Sequence, residues 1–169
     1  MVHSVLHHCF RMSYGASRSC IVKKDVSPLI SSQMKKQATY ISDTPIKESS
    51  QAAGFLHEDL RALDHEESWV LFLNAANMPL TKKMITVGTI MSAPIDHRRI
   101  VKEALNCNAT AIILFHNHPS GNPRPSTADI KETEKLRNAC SLFDISLLDH
   151  IIVADKSYYS FAEESQNQF

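Results

Sequence analysis

The chain has 169 residues, and its 18 lysines and arginines balance its 18 aspartates and glutamates. This length predicts one domain with at most a tail, because domains commonly span about 100–200 residues. No run approaches the ~18 apolar residues of a membrane span, which argues against an integral membrane protein. The zero formal net charge gives no support to strong non-specific DNA binding, which depends on many phosphate contacts from lysine and arginine.

The four cysteines form no CxxC pair. A disulfide framework is expected in shorter, secreted chains with denser cysteines. We therefore expect a reducing, cytoplasmic setting.

The N-terminal residues 1–24 contain four basic residues and no acidic one. Histidines and Arg11 interrupt the apolar stretch, which disfavours a secretory signal peptide. The composition is compatible with a mitochondrial transit peptide, a disordered extension or a start codon placed too far upstream. We predict a poorly ordered extension over residues 1–40, a folded domain over residues 41–163, and a polar tail over residues 164–169 that frays.

The first half of the folded domain predicts a helix followed by a hairpin. Apolar residues at three- to four-residue spacing predict a helix within residues 48–63. Trp69 to Leu73 is a continuous apolar run, typical of a strand in the centre of a sheet. A turn at Asn74 to Asn77 connects it to a second strand over residues 80–91, which predicts an antiparallel hairpin.

The second half predicts helices alternating with apolar strands. The expected elements, in chain order, are a helix over 97–107, a buried strand over 109–115, a loop over 116–125, a helix over 127–142, and strands over 145–153 and 158–161. The helix over 127–142 is expected to turn Ile130, Leu136 and Cys140 inward. This alternation predicts a three-layer α/β/α arrangement around a mixed sheet.

Two histidines leave the end of the strand over 109–115 together. His116 and His118 are two residues apart, and such residues project to the same side of extended backbone. Asp129 follows in the first turn of the next helix, where the chain has folded back. Two imidazoles and one carboxylate leave one position open on a tetrahedral Zn²⁺, the pattern of a catalytic zinc site.

Ser126 and Asp129 also match a capping box, with Ser126 as the N-cap and Asp129 at the third helical position. The two interpretations are compatible, because a cap that fixes the helix start also fixes the position of Asp129.

The spacing His116-x-His118, seven residues, Ser126, two residues, Asp129 matches the JAMM motif of MPN-type metal-dependent isopeptidases. A more specific resemblance, to the bacterial RadC family, covers roughly residues 40–162. It is carried by four segments: Gly88-Thr89-Ile90, the run from His116 to Pro123, Leu148-Asp149-His150 and Tyr158-Tyr159-Ser160-Phe161.

This resemblance implies a mixed sheet flanked by helices, of the cytidine-deaminase-like JAMM/MPN kind. It implies one zinc ion per chain with His116, His118 and Asp129 as ligands. It also implies an upstream glutamate that acts as general base on the attacking water. Glu66 and Glu67 are the candidates, and their register before the strand favours Glu66.

The expected activity is a zinc-dependent hydrolysis of peptide or isopeptide bonds, with a peptide or protein as substrate. Ser126 would donate a hydrogen bond to the oxyanion formed from the attacked carbonyl. The alternatives are a DNA-repair accessory protein or metal-dependent nuclease, and an inactive binding scaffold. DNA binding lacks support, because residues 1–40 show no helix-hairpin-helix pattern of the kind that longer RadC relatives carry.

Three further polar residues stand near the motif. His150 has two interpretations, a residue that orients a metal ligand from behind or a buried, hydrogen-bonded structural histidine. Asn117 and Asn122 are expected to shape the loop, and no chemical role is assigned to them.

Overall fold

Five strands form one mixed sheet in the computed structural model, which describes residues 41–88 and 95–166. In chain order they are β1 (Glu67–Leu73), β2 (Pro79–Val87), β3 (Ala111–Asn117), β4 (Ser146–Val153) and β5 (Tyr158–Ser160). Their order across the sheet is β2-β1-β3-β4-β5. The β3–β4 pair is parallel and the other pairs are antiparallel, which confirms the predicted mixed sheet and the β1–β2 hairpin. The prediction for residues 1–40 lies outside the described residues.

The helices in the described segments are α1 (Ser49–Gly54), α2 (His57–Leu60), α3 (His97–Asn106), α4 (Thr127–Ser141) and α5 (Phe161–Gln166). The single helix predicted within 48–63 is therefore two short ones. Gly54 ends the first, because glycine is about 1 kcal/mol less favourable than alanine in a helix, and Leu56 has a non-helical φ of −135°. Helix α5 ends at Gln166, within the predicted polar tail over residues 164–169. None of the described helices has the length and apolar composition needed to cross a membrane.

Helices cover both faces of the sheet, which confirms the predicted three layers. On one face, α1 and α2 bury Ala53 and Leu60 in one core cluster with Phe115 of β3. On the other face, α3 and α4 bury Ile100 and Leu136 against the sheet.

One residue of α4 does not face the core as predicted. Ile130 is 44% exposed, whereas Leu136 and Cys140 are fully buried. The inward face of α4 runs through Thr133, Leu136 and Cys140, and Ile130 lies to one side of it.

Strand β3 is central to both cores, and all seven of its residues are buried. Its neighbours β1 and β4 pair with its two edges. Complete burial of one large apolar side chain contributes about 1.5–3 kcal/mol, so the apolar part of β3 anchors the fold. Its carboxyl end carries the polar residues His116 and Asn117 into this rigid frame.

Candidate metal centre

The two motif histidines lie at the carboxyl end of β3. His116 belongs to the strand and is only 6% exposed. The backbone N–H of His118 donates to the carbonyl of Val153 at 2.8 Å, which continues the pairing with β4 one residue beyond the strand. Because the backbone stays extended, His116 and His118 project to the same side, as predicted.

A tight turn and a helix cap return the chain to these histidines. Gly121 has a φ of +77°, and its N–H donates to the carbonyl of His118 at 3.0 Å. The predicted capping box is present: the N–H of Asp129 donates to Oγ of Ser126 at 3.2 Å, and the N–H of Ser126 donates to Oδ2 of Asp129 at 2.7 Å. The cap therefore fixes the carboxylate of Asp129 at the start of α4.

His116, His118 and Asp129 converge on one point. The Nε2 atoms of the two histidines lie 2.9 Å apart. Asp129 places Oδ1 3.4 Å from Nε2 of His116 and Oδ2 3.7 Å from Nε2 of His118. One ligand atom from each residue lies within 4.8 Å of the others, so these three residues could hold a metal ion.

Two members of this triad, His116 and Asp129, have protonation states that suit a cation, whereas His118 holds its proton more tightly than usual. Burial lowers the pKa of His116 to about 4, so its imidazole is neutral at pH 7. The adjacent carboxylate of Asp129 raises the pKa of His118 above its usual value. Burial opposes ionisation of Asp129, but His118, His116 and Ser126 together hold the pKa of its carboxyl well below the usual range.

The outer nitrogen of His118 is fixed by the loop. Its Nδ1 lies 2.8 Å from the carbonyl oxygen of Asn122. A carbonyl only accepts, so Nδ1 carries the proton and Nε2 faces the triad. Asn122 thus shapes the loop as expected, and its Oδ1 also accepts from the N–H of Arg124 at 3.1 Å.

The outer nitrogen of His116 meets His150 instead. His116 Nδ1 and His150 Nε2 are 2.7 Å apart, and His150 Nδ1 lies 2.6 Å from Oγ1 of Thr133. His150 is completely buried, and burial holds the pKa of its imidazole well below 6.5. His150 is thus both buried and hydrogen-bonded, and it lies directly behind a triad histidine. No sequence pattern points to Thr133, which is a helix residue of ordinary appearance.

The two candidate general bases are neighbours at the start of β1, Glu66 just before the strand and Glu67 as its first residue. Ser68 pairs with His116 across β1 and β3, so alternation along extended backbone predicts Glu66 on the side of the triad and Glu67 on the other. The charge of Glu66 contributes to the raised pKa of His118. Glu67 accepts hydrogen bonds from the indole N–H of Trp69 at 2.7 Å and from His65 at 3.1 Å.

Asn117 does not shape the loop, contrary to expectation. It is 1% exposed, and its side-chain amide bonds the backbone of His65 and Glu67, at 2.8 Å each. The sequence signal that could have found this role is an asparagine inside an otherwise buried strand, where its amide must find partners.

The chain is similar to known proteins over this whole region. The RadC-like JAB domain family matches residues 46–166. A UPF0758 protein of Haemophilus ducreyi is 45% identical over 114 residues, which are 68% of this chain and 51% of that protein. A UPF0758 protein of Flavobacterium johnsoniae is 40% identical over 119 residues, or 70% of this chain and 52% of that protein.

UPF0758 protein YfjY of Escherichia coli is 39% identical over 153 residues, which are 86% of this chain and 96% of that protein. The chain spans about half the length of the Haemophilus and Flavobacterium relatives. The family match covers more than half of the chain and includes all three residues of the triad. The chain therefore belongs to the RadC-like JAB domain family.

Proposed function

We propose that the protein is a zinc-dependent hydrolase of peptide or isopeptide bonds. The observation that carries the proposal is the convergence of two imidazole Nε2 atoms and one carboxylate within 4.8 Å, in a RadC-like JAB domain. His116, His118 and Asp129 would hold one zinc ion per chain. Both described cysteines, Cys107 and Cys140, are free, which supports a cytoplasmic setting.

The donor set suits zinc. Two neutral nitrogens and one carboxylate oxygen are a common catalytic zinc set, and they leave the fourth tetrahedral position open. When bound, zinc supplies Lewis acidity that polarises a carbonyl and lowers the pKa of a water molecule to roughly 7. A structural zinc site would have four protein ligands, whereas this triad supplies three. The triad therefore favours a catalytic site.

Glu66 is the proposed general base. Its carboxylate takes a proton from the attacking water and passes it to the leaving amine. The placement of Glu66 on the triad side of β1, and its effect on the pKa of His118, support this role. Glu67 is the weaker candidate because its carboxylate is already engaged by Trp69 and His65.

Ser126 is the proposed donor to the oxyanion. Its Oγ accepts from the N–H of Asp129, and this acceptor role leaves the hydroxyl proton available for a developing negative charge. Removal of one such donor commonly lowers turnover by about 10²–10³-fold. The proposed substrate is an amide carbonyl with an amine leaving group, in a peptide or protein.

The test compares Glu66→Gln with Glu67→Gln in zinc-loaded protein, on a panel of peptide and isopeptide substrates. Wild-type protein and Glu67→Gln are expected to hydrolyse a substrate, and Glu66→Gln to lose hydrolysis while retaining zinc. Loss of zinc in Glu66→Gln would make Glu66 a ligand instead. Cleavage of DNA but of no amide would favour a nuclease, and full zinc loading without any hydrolysis would favour a binding scaffold.

A further inference from the structure

The two triad histidines use their Nδ1 atoms differently. His118 donates from Nδ1 to the carbonyl of Asn122, a group that can only accept. His116 meets the imidazole of His150, and an imidazole nitrogen either donates or accepts. The proton of His116 is therefore not fixed by His150 alone, and its position decides whether Nε2 has a lone pair for a metal.

Thr133 fixes the direction of this contact. Its Oγ1 lies 2.6 Å from the carbonyl oxygen of Asp129 and 2.6 Å from Nδ1 of His150. Two oxygens so close need a hydrogen between them, and only the hydroxyl can supply it. The single hydroxyl proton of Thr133 therefore lies on the bond to Asp129, and Oγ1 accepts from Nδ1–H of His150.

The positions of the protons on His150 and His116 then follow from this bond. A neutral imidazole carries one N–H, so Nε2 of His150 is an acceptor. His116 must donate to it from Nδ1, which leaves Nε2 of His116 unprotonated. That Nε2 is the atom facing His118 and Asp129.

We propose that Thr133 and His150 are positioning residues that hold His116 in the Nδ1–H tautomer and so present its Nε2 lone pair to a metal ion. The metal itself belongs to the proposed function, on which this inference rests. Helix α4 thereby supplies both a proposed metal ligand, Asp129, and a positioning residue, Thr133, which lie one helical turn apart.

Burial protects the hydrogen bonds of Thr133 and His150 from exchange with water. Thr133 is 2% exposed and His150 0%, so water has little access to replace a lost partner. The imidazole of His150 stacks on Phe161, with ring centroids 4.8 Å apart and planes at 5°. This stacking holds both nitrogens of His150 in line with Thr133 and His116.

The test removes the hydroxyl without changing the side-chain shape. In Thr133→Val, Nδ1 of His150 loses its acceptor, and the alternative tautomer points N–H at His116 and opposes ligation. We expect zinc affinity, measured by competition with a chromophoric chelator, to fall about 10–100-fold. Thr133→Ser should restore it, and Thr127→Val, at an exposed position of the same helix, should match wild type.

A spectroscopic readout separates this role from a merely structural one. Long-range ¹H–¹⁵N correlation spectra of metal-free wild-type protein should show His150 and His116 both protonated at Nδ1. Protonation of His150 at Nε2, or unchanged zinc affinity in Thr133→Val, would overturn the proposal. The wild-type spectrum shows which nitrogens of His150 and His116 are protonated, and so tests the proposal even if Thr133→Val does not fold. A wild-type chain that binds no zinc would contradict the proposed function, while the spectrum would still decide the proton order.

Discussion

Asn117 and Glu67 are joined by a hydrogen bond of 2.8 Å, from the backbone N–H of Glu67 to Oδ1 of Asn117. The same side chain donates from Nδ2 to the carbonyl of His65 at 2.8 Å. One amide thus holds the backbone on both sides of Glu66. Because Asn117 stands between His116 and His118 in sequence, the segment that carries two triad residues also positions the backbone around the proposed general base.

Substitution of Asn117 should destabilise the domain without removing the triad. In Asn117→Ala the N–H of Glu67 and the carbonyl of His65 lose their partner. We expect the free energy of unfolding, measured in urea, to fall by about 1–3 kcal/mol, with zinc still bound at one per chain. Asn138→Ala, at an exposed position of α4, is the control. Equal stability of the two variants would show that the Asn117 bonds contribute little.

Ser126→Ala should separate the cap from the proposed oxyanion donor. Loss of the cap alone is expected to lower the free energy of unfolding by about 0.5–2 kcal/mol. Loss of the donor should also lower turnover per zinc-loaded, folded molecule by about 10²-fold or more. The matched control is Asp96→Ala, which removes the N-cap of α3, a bond from the N–H of Arg99 at 3.1 Å. Unchanged turnover in Ser126→Ala would leave Ser126 as a helix cap only.

Zinc affinity should fall as the pH is lowered below the pKa of His118. The carboxylate of Asp129 raises that pKa above the usual 6.5, and a protonated imidazole cannot ligate. Below the raised pKa each zinc ion must displace one proton from His118, so affinity should rise about tenfold per pH unit and level off above it. Asp129 stays ionised throughout, because its pKa lies well below this range. Chelator competition across pH 7 checks this, and a flat profile would contradict it.

Much of the fold followed from local patterns in the sequence. The unbroken apolar runs of β1 and β3 predicted central strands because both of their faces are covered. The i, i+2 spacing of His116 and His118 predicted convergence because it depends only on extended backbone. The capping box was also predictable, because Ser126 and Asp129 lie within one helical turn of each other.

Contacts between distant segments could not be read in this way. The bond between Thr133 and His150 depends on how α4 lies against β4, and a sequence pattern does not specify that packing. The partners of Asn117 lie fifty residues away in the chain. The exposure of Ile130 likewise depends on where α4 meets the sheet, which its own helical periodicity leaves open.

The measurement that tests the central claim most directly is the zinc content of purified protein by elemental analysis. We predict about one zinc ion per chain in wild type and loss of that ion in His118→Ala. His57→Ala is the control, because His57 lies in α2 and outside the triad, and it should retain the wild-type content. Equal zinc in His118→Ala and wild type would contradict the assignment of His116, His118 and Asp129 as the metal centre.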